Sequence, residues 1–410
     1  MTKSPFQQRL EYGAACLLLS LAGVFLFFQI RERQETAEPM QEAKAVAPAP
    51  PPKPKRAEPP FPFASASEVG EPEVVELDST VSEIHFADHA PVALVVKSNK
   101  GRTFHVWDLQ TGKQTCSLTL PSFVGKQDNP RNTPLPSSPS IQISLHAFSP
   151  DGSRLAGVVA GDLELGHTLL VWDTANGKLI FQYADPDRRV EELCFHSRNL
   201  LYSSGDVLKR RVIERIDLEK QSVDVLPIEE VILLSEIIAV QGGTLFVPEK
   251  KRLLVGQIAT GEFREWPVPA EKQSREVARR SFLSPEGNKL FVFRHTSYDV
   301  WNLQTSRFEE QMALPADQRA RRFAPAQQLL ATANAHAGYT DLYRIGSPNT
   351  IAAIGCPIGY ELSGISSDGR SFAVRHPQEK RAALLRYRGK IPTGKTLDLT
   401  LALEKEATSK

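Results

Sequence analysis

From about residue 73 the chain alternates short apolar runs with polar, turn-forming clusters. Runs at 154–160, 168–172, 290–293 and 372–375 are short and rich in β-branched or aromatic residues. That pattern predicts strands, and the Asp-Gly, Asn-Gly and Thr-Gly pairs between them predict tight hairpins. The N-terminus reads differently. Residues 12–30 carry no charge and form one apolar run, which predicts a helix. Residues 31–71 are polar and rich in Ala and Pro, including Pro50-Pro51-Pro52-Lys53-Pro54, which predicts an extended spacer.

The strand region repeats. Val106-Trp107-Asp108-Leu109-Gln110-Thr111-Gly112-Lys113 returns as Val171-Trp172-Asp173-Thr174-Ala175-Asn176-Gly177-Lys178 and as Val300-Trp301-Asn302-Leu303-Gln304-Thr305-Ser306-Arg307. A second phrase precedes each copy: Phe148-Ser149-Pro150-Asp151-Gly152, Phe282-Leu283-Ser284-Pro285-Glu286-Gly287, and Ile365-Ser366-Ser367-Asp368-Gly369. With weaker copies its anchors fall at 86, 148, 195, 240, 282, 323 and 365, and the copy near Val240-Gln241-Gly242-Gly243 is badly worn. After a first interval of 62, the spacing is 41 to 47. A unit of that length is one four-stranded propeller blade. The partner phrase begins near Val106, Val171, Arg215, Gly256, Val300, Leu342 and Arg386, so both phrases count seven blades. The expectation is an all-β, seven-bladed β-propeller of four-stranded antiparallel blades.

Trp107-Asp108, Trp172-Asp173 and Trp301-Asn302, at this period, resemble the WD40 family and the wider class of WD40-like bacterial propellers. The resemblance covers roughly 73–403. It implies that each Trp packs between neighbouring blades and that the ring closes with a strand from the N-terminal end. Residues 74–77 suit that strand; 396–401 is a second strand-like segment. The Gly-His pair usual near the start of a WD40 blade is missing from that place; Gly166-His167 falls just before a third strand. The expected organisation is a short segment 1–11, a transmembrane helix 12–30, a linker 31–71, the propeller 72–403 and a tail 404–410.

The run 13–30 is at the short edge of what crosses a hydrocarbon core of about 30 Å. It meets Arg31-Glu32-Arg33 directly, and the nearest small-residue site, Ala45-Val46-Ala47, lies far downstream. We read an uncleaved signal anchor, single-pass, with the propeller outside the cytoplasm. Cys16 lies near the start of the apolar run, most of which follows it, whereas a lipoprotein cysteine comes after its apolar run, so a lipoprotein site is excluded.

Formal net charge is +1, so no bulk field calls for nucleic acid. Cys116, Cys194 and Cys356 fall in different blades with no C-x-x-C pair. His85, His146 and His196 are placed on first strands, which line a propeller's channel. Their offsets from the anchor Phe differ in phase, which argues against a common metal site. No nucleophile or phosphate-loop motif is present, and no cofactor is expected. What remains is charge on the repeat. The loops entering first strands and those joining second to third strands share one face. They carry Arg275, Arg279, Arg280, Arg319, Arg321 and Arg322, with Arg294 and Arg375. These predict a basic sector for an acidic partner. The 121–140 loop, with five prolines, enters blade two on the same face. The leading reading is a membrane-tethered, non-catalytic protein-interaction scaffold. The alternative is a quinoprotein-like or lactonase-like propeller with a polar channel.

Overall fold

A computed structural model describes the chain from residue 60 to residue 400, apart from short gaps and longer ones at 120–142, 161–166, 227–238, 315–320 and 335–338. The expected membrane helix, most of the linker, the 121–140 loop and the tail 404–410 lie outside the described residues. Among the described residues no helix is long and apolar enough to cross a membrane.

Seven sheets form, one per predicted repeat. Blade one is Val81–Phe86, Val92–Ser98, Arg102–Asp108 and Lys113–Ser117. Blade two runs from Ile143–Phe148 to Leu179–Asp185, blade three from Arg188–Phe195 to Ser222–Val225, and blade four from Ala239–Gln241 to Phe263–Pro267. Blade five runs from Arg280–Leu283 to Arg307–Ala313, blade six from Arg321–Ala324 to Thr350–Gly355, and blade seven from Glu361–Ile365 through Ser371–His376 to Arg381–Arg386. Blade four, worn in sequence, still has its four strands.

The repeat phrases act locally. In blades one, two and five the third strand ends on Asp108, Asp173 or Asn302. A side-chain oxygen of each accepts a backbone N–H two residues on, from Gln110 (2.7 Å), Ala175 (2.9 Å) and Gln304 (3.0 Å). This caps the turn into the fourth strand. In the first-to-second turns, Ser149 and Ser366 Oγ accept the N–H of Arg154 (2.9 Å) and Ser371 (2.8 Å).

Strand pairing sets the register that sequence leaves open. The residue opposite the second position of each second strand is Trp107, Trp172, Ile216, Gly256, Trp301, Tyr343 and Leu385 in turn. The phrase therefore starts one residue earlier than expected in blade four and two earlier in blade seven. Without the Trp, only the hairpin pairing marks the position. In blade four the position is Gly256, and the Phe263 ring occupies the space where its side chain would go, 2.4 Å from an added Cβ.

The core is divided by seam. Seven clusters of buried side chains each join two neighbouring blades, closing the circle from blade one to blade seven and back. Trp172 and Trp301 are fully buried in the one–two and four–five clusters.

The ring closes as expected. Glu73–Leu77 pairs antiparallel with Arg381–Arg386 as the outermost strand of blade seven. The second candidate goes elsewhere. Thr396–Asp398 pairs in parallel with Thr350–Gly355 and becomes a fifth strand of blade six. Ala64 N donates to Thr396 O (2.8 Å) and Thr396 N donates to Pro62 O (2.9 Å), so the segment before the closing strand covers the outer edge of that fifth strand.

Candidate functional site

Within the predicted basic sector, Arg280, Arg294 and Arg375 are engaged by acceptors of the fold. Arg294 is 2% exposed. Its Nε and Nη2 donate to Asp299 at 2.9 and 2.8 Å, and its guanidinium also reaches Glu276 O (2.7 Å) and Glu249 O (3.0 Å). It is a bolt between blades four and five, not a rim residue; four hydrogen bonds to three acceptor oxygens compensate the guanidinium for the water it has lost. Arg280 reaches across the ring to Asp88 (2.7 Å) and lies over the Phe282 and Phe323 rings. Arg375 donates to Ser82 O (2.8 Å) and Glu361 (2.7 Å). Arg279 is exposed, with its backbone N–H on Phe293 O (2.7 Å). Arg321 and Arg322 open the first strand of blade six, opposite Thr332 and Ala331. Arg275 and Arg319 lie outside the described residues.

The channel corrects a second expectation. His85 and His146 are out of phase on their strands, yet their rings stand 4.2 Å apart. Successive strand residues face opposite ways. Opposite phase is therefore what turns two side chains toward each other across a seam. His196 lies past the end of its first strand, in the turn, with its N–H on Leu200 O (2.9 Å). His85 Nε2 also contacts Glu83 (3.1 Å). His146 is held neutral, its pKa pushed down to about 3, first by burial and then by the His85 ring and the Arg280 guanidinium. These groups, with Asp88, Arg280 and Phe323, line a cavity of about 390 Å³. Among the described residues no group of three or more His, Cys, Asp or Glu side chains is placed to hold a metal. The pairing of Arg280 with Asp88 was not legible, since 192 residues separate them.

Two larger clefts open at seams on the other face, where the Asp-Gly and Asn-Gly turns sit. One, of about 630 Å³ between blades seven and one, is lined by Arg370, Arg386 and Arg388 against Glu71, Glu73 and Asp368. The other, of about 590 Å³ between blades four and five, is lined by Trp266, Phe246 and three glutamines. Neither cleft was anticipated. Trp266 was the one signal: it is the single Trp outside the repeat phrase.

No protein-family model matches the chain, and no curated protein matches it. Solved structures do. The β-propeller domain of Cps50 (Swd1) from Myceliophteria thermophila is similar with a TM-score of 0.53 at 14% identity, covering 78% of this chain and 99% of that one. A chain of a mitotic checkpoint complex is similar with a TM-score of 0.51 at 14% identity, covering 85% and 99%. This chain has the seven-bladed β-propeller fold. The Trp172 indole N–H donates to a backbone carbonyl, Thr119 O at 2.7 Å, and the Trp107 indole nitrogen is buried with no partner among the described residues.

Proposed function

We propose that the chain is a membrane-tethered, non-catalytic protein-interaction scaffold. Its propeller lies outside the cytoplasm, held by residues 12–30 through the Pro-rich spacer. One observation carries the non-catalytic reading. The channel's ionisable groups engage one another, Arg280 with Asp88 and His85 with Glu83, while His146 is half-buried and held neutral. A catalytic channel needs such groups aimed at a substrate. Propellers of this fold present broad faces, and one similar propeller is part of a mitotic checkpoint complex. Scaffolding by fold alone is an analogy, so the partner is sought by chemistry. We assign the acidic partner to Arg279, which is exposed, with Arg321 and Arg322 at the start of the first strand of blade six.

The test is a crosslinking pull-down from native membranes at low and high salt. It compares the native chain with a variant carrying Arg279→Glu, Arg321→Glu and Arg322→Glu. A partner lost both in the variant and at high salt supports the reading, because exposed charge contacts weaken with ionic strength. A partner insensitive to both overturns the acidic-partner assignment. Release of the chain by alkaline carbonate overturns the anchor.

A further inference from the structure

The cleft between blades four and five is built by strand alternation. Thr244 and Phe246 on the second strand, Val255 and Gln257 on the third, and Glu262, Arg264 and Trp266 at the fourth all fall on one face. That face looks toward blade five, whose Gln304 and Ser306 form the far wall. Trp266 is half-buried, its ring centroid 6.4 Å from those of Trp301 and Phe246. Packing from behind holds the indole still, and its N–H has no partner among the described residues. The carboxamides of Gln241 and Gln304 are likewise without a partner there. Gln257 donates to Thr244 Oγ1 (3.2 Å), which orients its carboxamide and leaves the oxygen available. Gly242, with φ +54, has open space where a side chain would project. Glu262 and Arg264 are the charged side chains of the lining, and they balance.

We propose that this cleft binds a neutral saccharide. A pyranose ring has an apolar C–H face and a girdle of hydroxyls, each at once donor and acceptor. A fixed indole face suits the first. Carboxamides, which donate and accept from one plane, suit the second. The volume lies within the roughly 300–1,000 Å³ range of small-ligand sites. A peptide anchor wants a dry, apolar pocket, whereas here one aromatic face is ringed by amides and hydroxyls. The balance of Glu262 and Arg264 favours an uncharged ligand over an acidic sugar.

The experiment applies the full chain, in a detergent without a sugar headgroup, to an array of neutral oligosaccharides, acidic oligosaccharides and proline-rich peptides. The best neutral ligand is then titrated by tryptophan fluorescence. The expected result is retention of a neutral oligosaccharide with a blue shift in emission. Gln304→Ala, on an exposed turn, weakens binding about tenfold, the effect of one lost hydrogen bond to a bound ligand. Trp266→Phe keeps partial binding and loses the shift. Retention of acidic sugars or peptides alone, retention of nothing, or neutral-sugar binding unchanged in Gln304→Ala overturns the proposal. Since Gln304 packs in no core cluster, circular dichroism of that variant separates a lost ligand from a lost fold.

Discussion

The seams between blades one and two and between blades four and five use the same repeat phrase and end differently. At the one–two seam the turn of blade two lies directly on blade one. Thr119 N donates to Gly177 O (3.0 Å), and a Cβ at Gly177 would fall 2.0 Å from Ser117 O. At the four–five seam the corresponding residue is Ser306, with φ +58 and a side chain of its own. That seam stays open as the Trp266 cleft and is fastened from the opposite face by the buried Arg294. One seam is closed by backbone contact, the other by a charged bolt. A repeat therefore fixes how blades form more firmly than how tightly they meet.

The largest test breaks the open seam. Arg294→Met leaves Asp299 buried, with the Gln311 amide (3.0 Å) in place of its guanidinium. A loss of about 3–5 kcal/mol is expected in urea denaturation. At the closed seam, Gly177→Ala combines a left-handed φ with a clash against backbone and should cost about 3 kcal/mol. Gly242→Ala, facing open space at the other seam, should cost only about 1 kcal/mol by the same assay. Equal costs would mean that backbone contact does not close the one–two seam.

The His85–His146 contact also crosses the one–two seam. His146 has a folded pKa near 3, below its unfolded value, so the unfolded chain binds the proton more readily in between. Its contribution is complete above about pH 6.5 and is lost as pH falls toward 3. Denaturation midpoints at pH 7.5 and 5 should differ less in His146→Gln than in the native chain. A smaller effect compares two repeat tryptophans. Trp172→Phe gives up the bond to Thr119 O and should cost about 1–2 kcal/mol. Trp107→Phe removes an indole nitrogen that has no partner among the described residues and should cost less. The smallest is Ser306→Gly, which relieves the left-handed φ at some cost in chain entropy and should stabilise by about 0.5 kcal/mol.

The blades were legible because their signals are local. Asp108, Asp173 and Asn302 cap turns two residues away, and Gly152, Gly177 and Gly369 hold the left-handed φ that the hairpins need. The strand that closes the ring was legible only as one of two candidates, 74–77 and 396–401, between which the resemblance favoured the first. The candidate sites were much less so. Arg280 and Arg279 are neighbours in sequence, yet one is tied across the ring to Asp88 and the other is exposed. Arg294 reads as a loop cation and is an interior one.

By itself, then, the sequence determined the seven-bladed architecture and its period, because hairpin turns and strand alternation act over a few residues. Only the tertiary structure decided that Arg280, Arg294 and Arg375 are engaged within the fold, that two out-of-phase histidines meet, that the C-terminal strand joins blade six, and which seams stay open. Each of these depends on groups distant in sequence coming within a few ångströms, a distance set by the curvature of the whole ring.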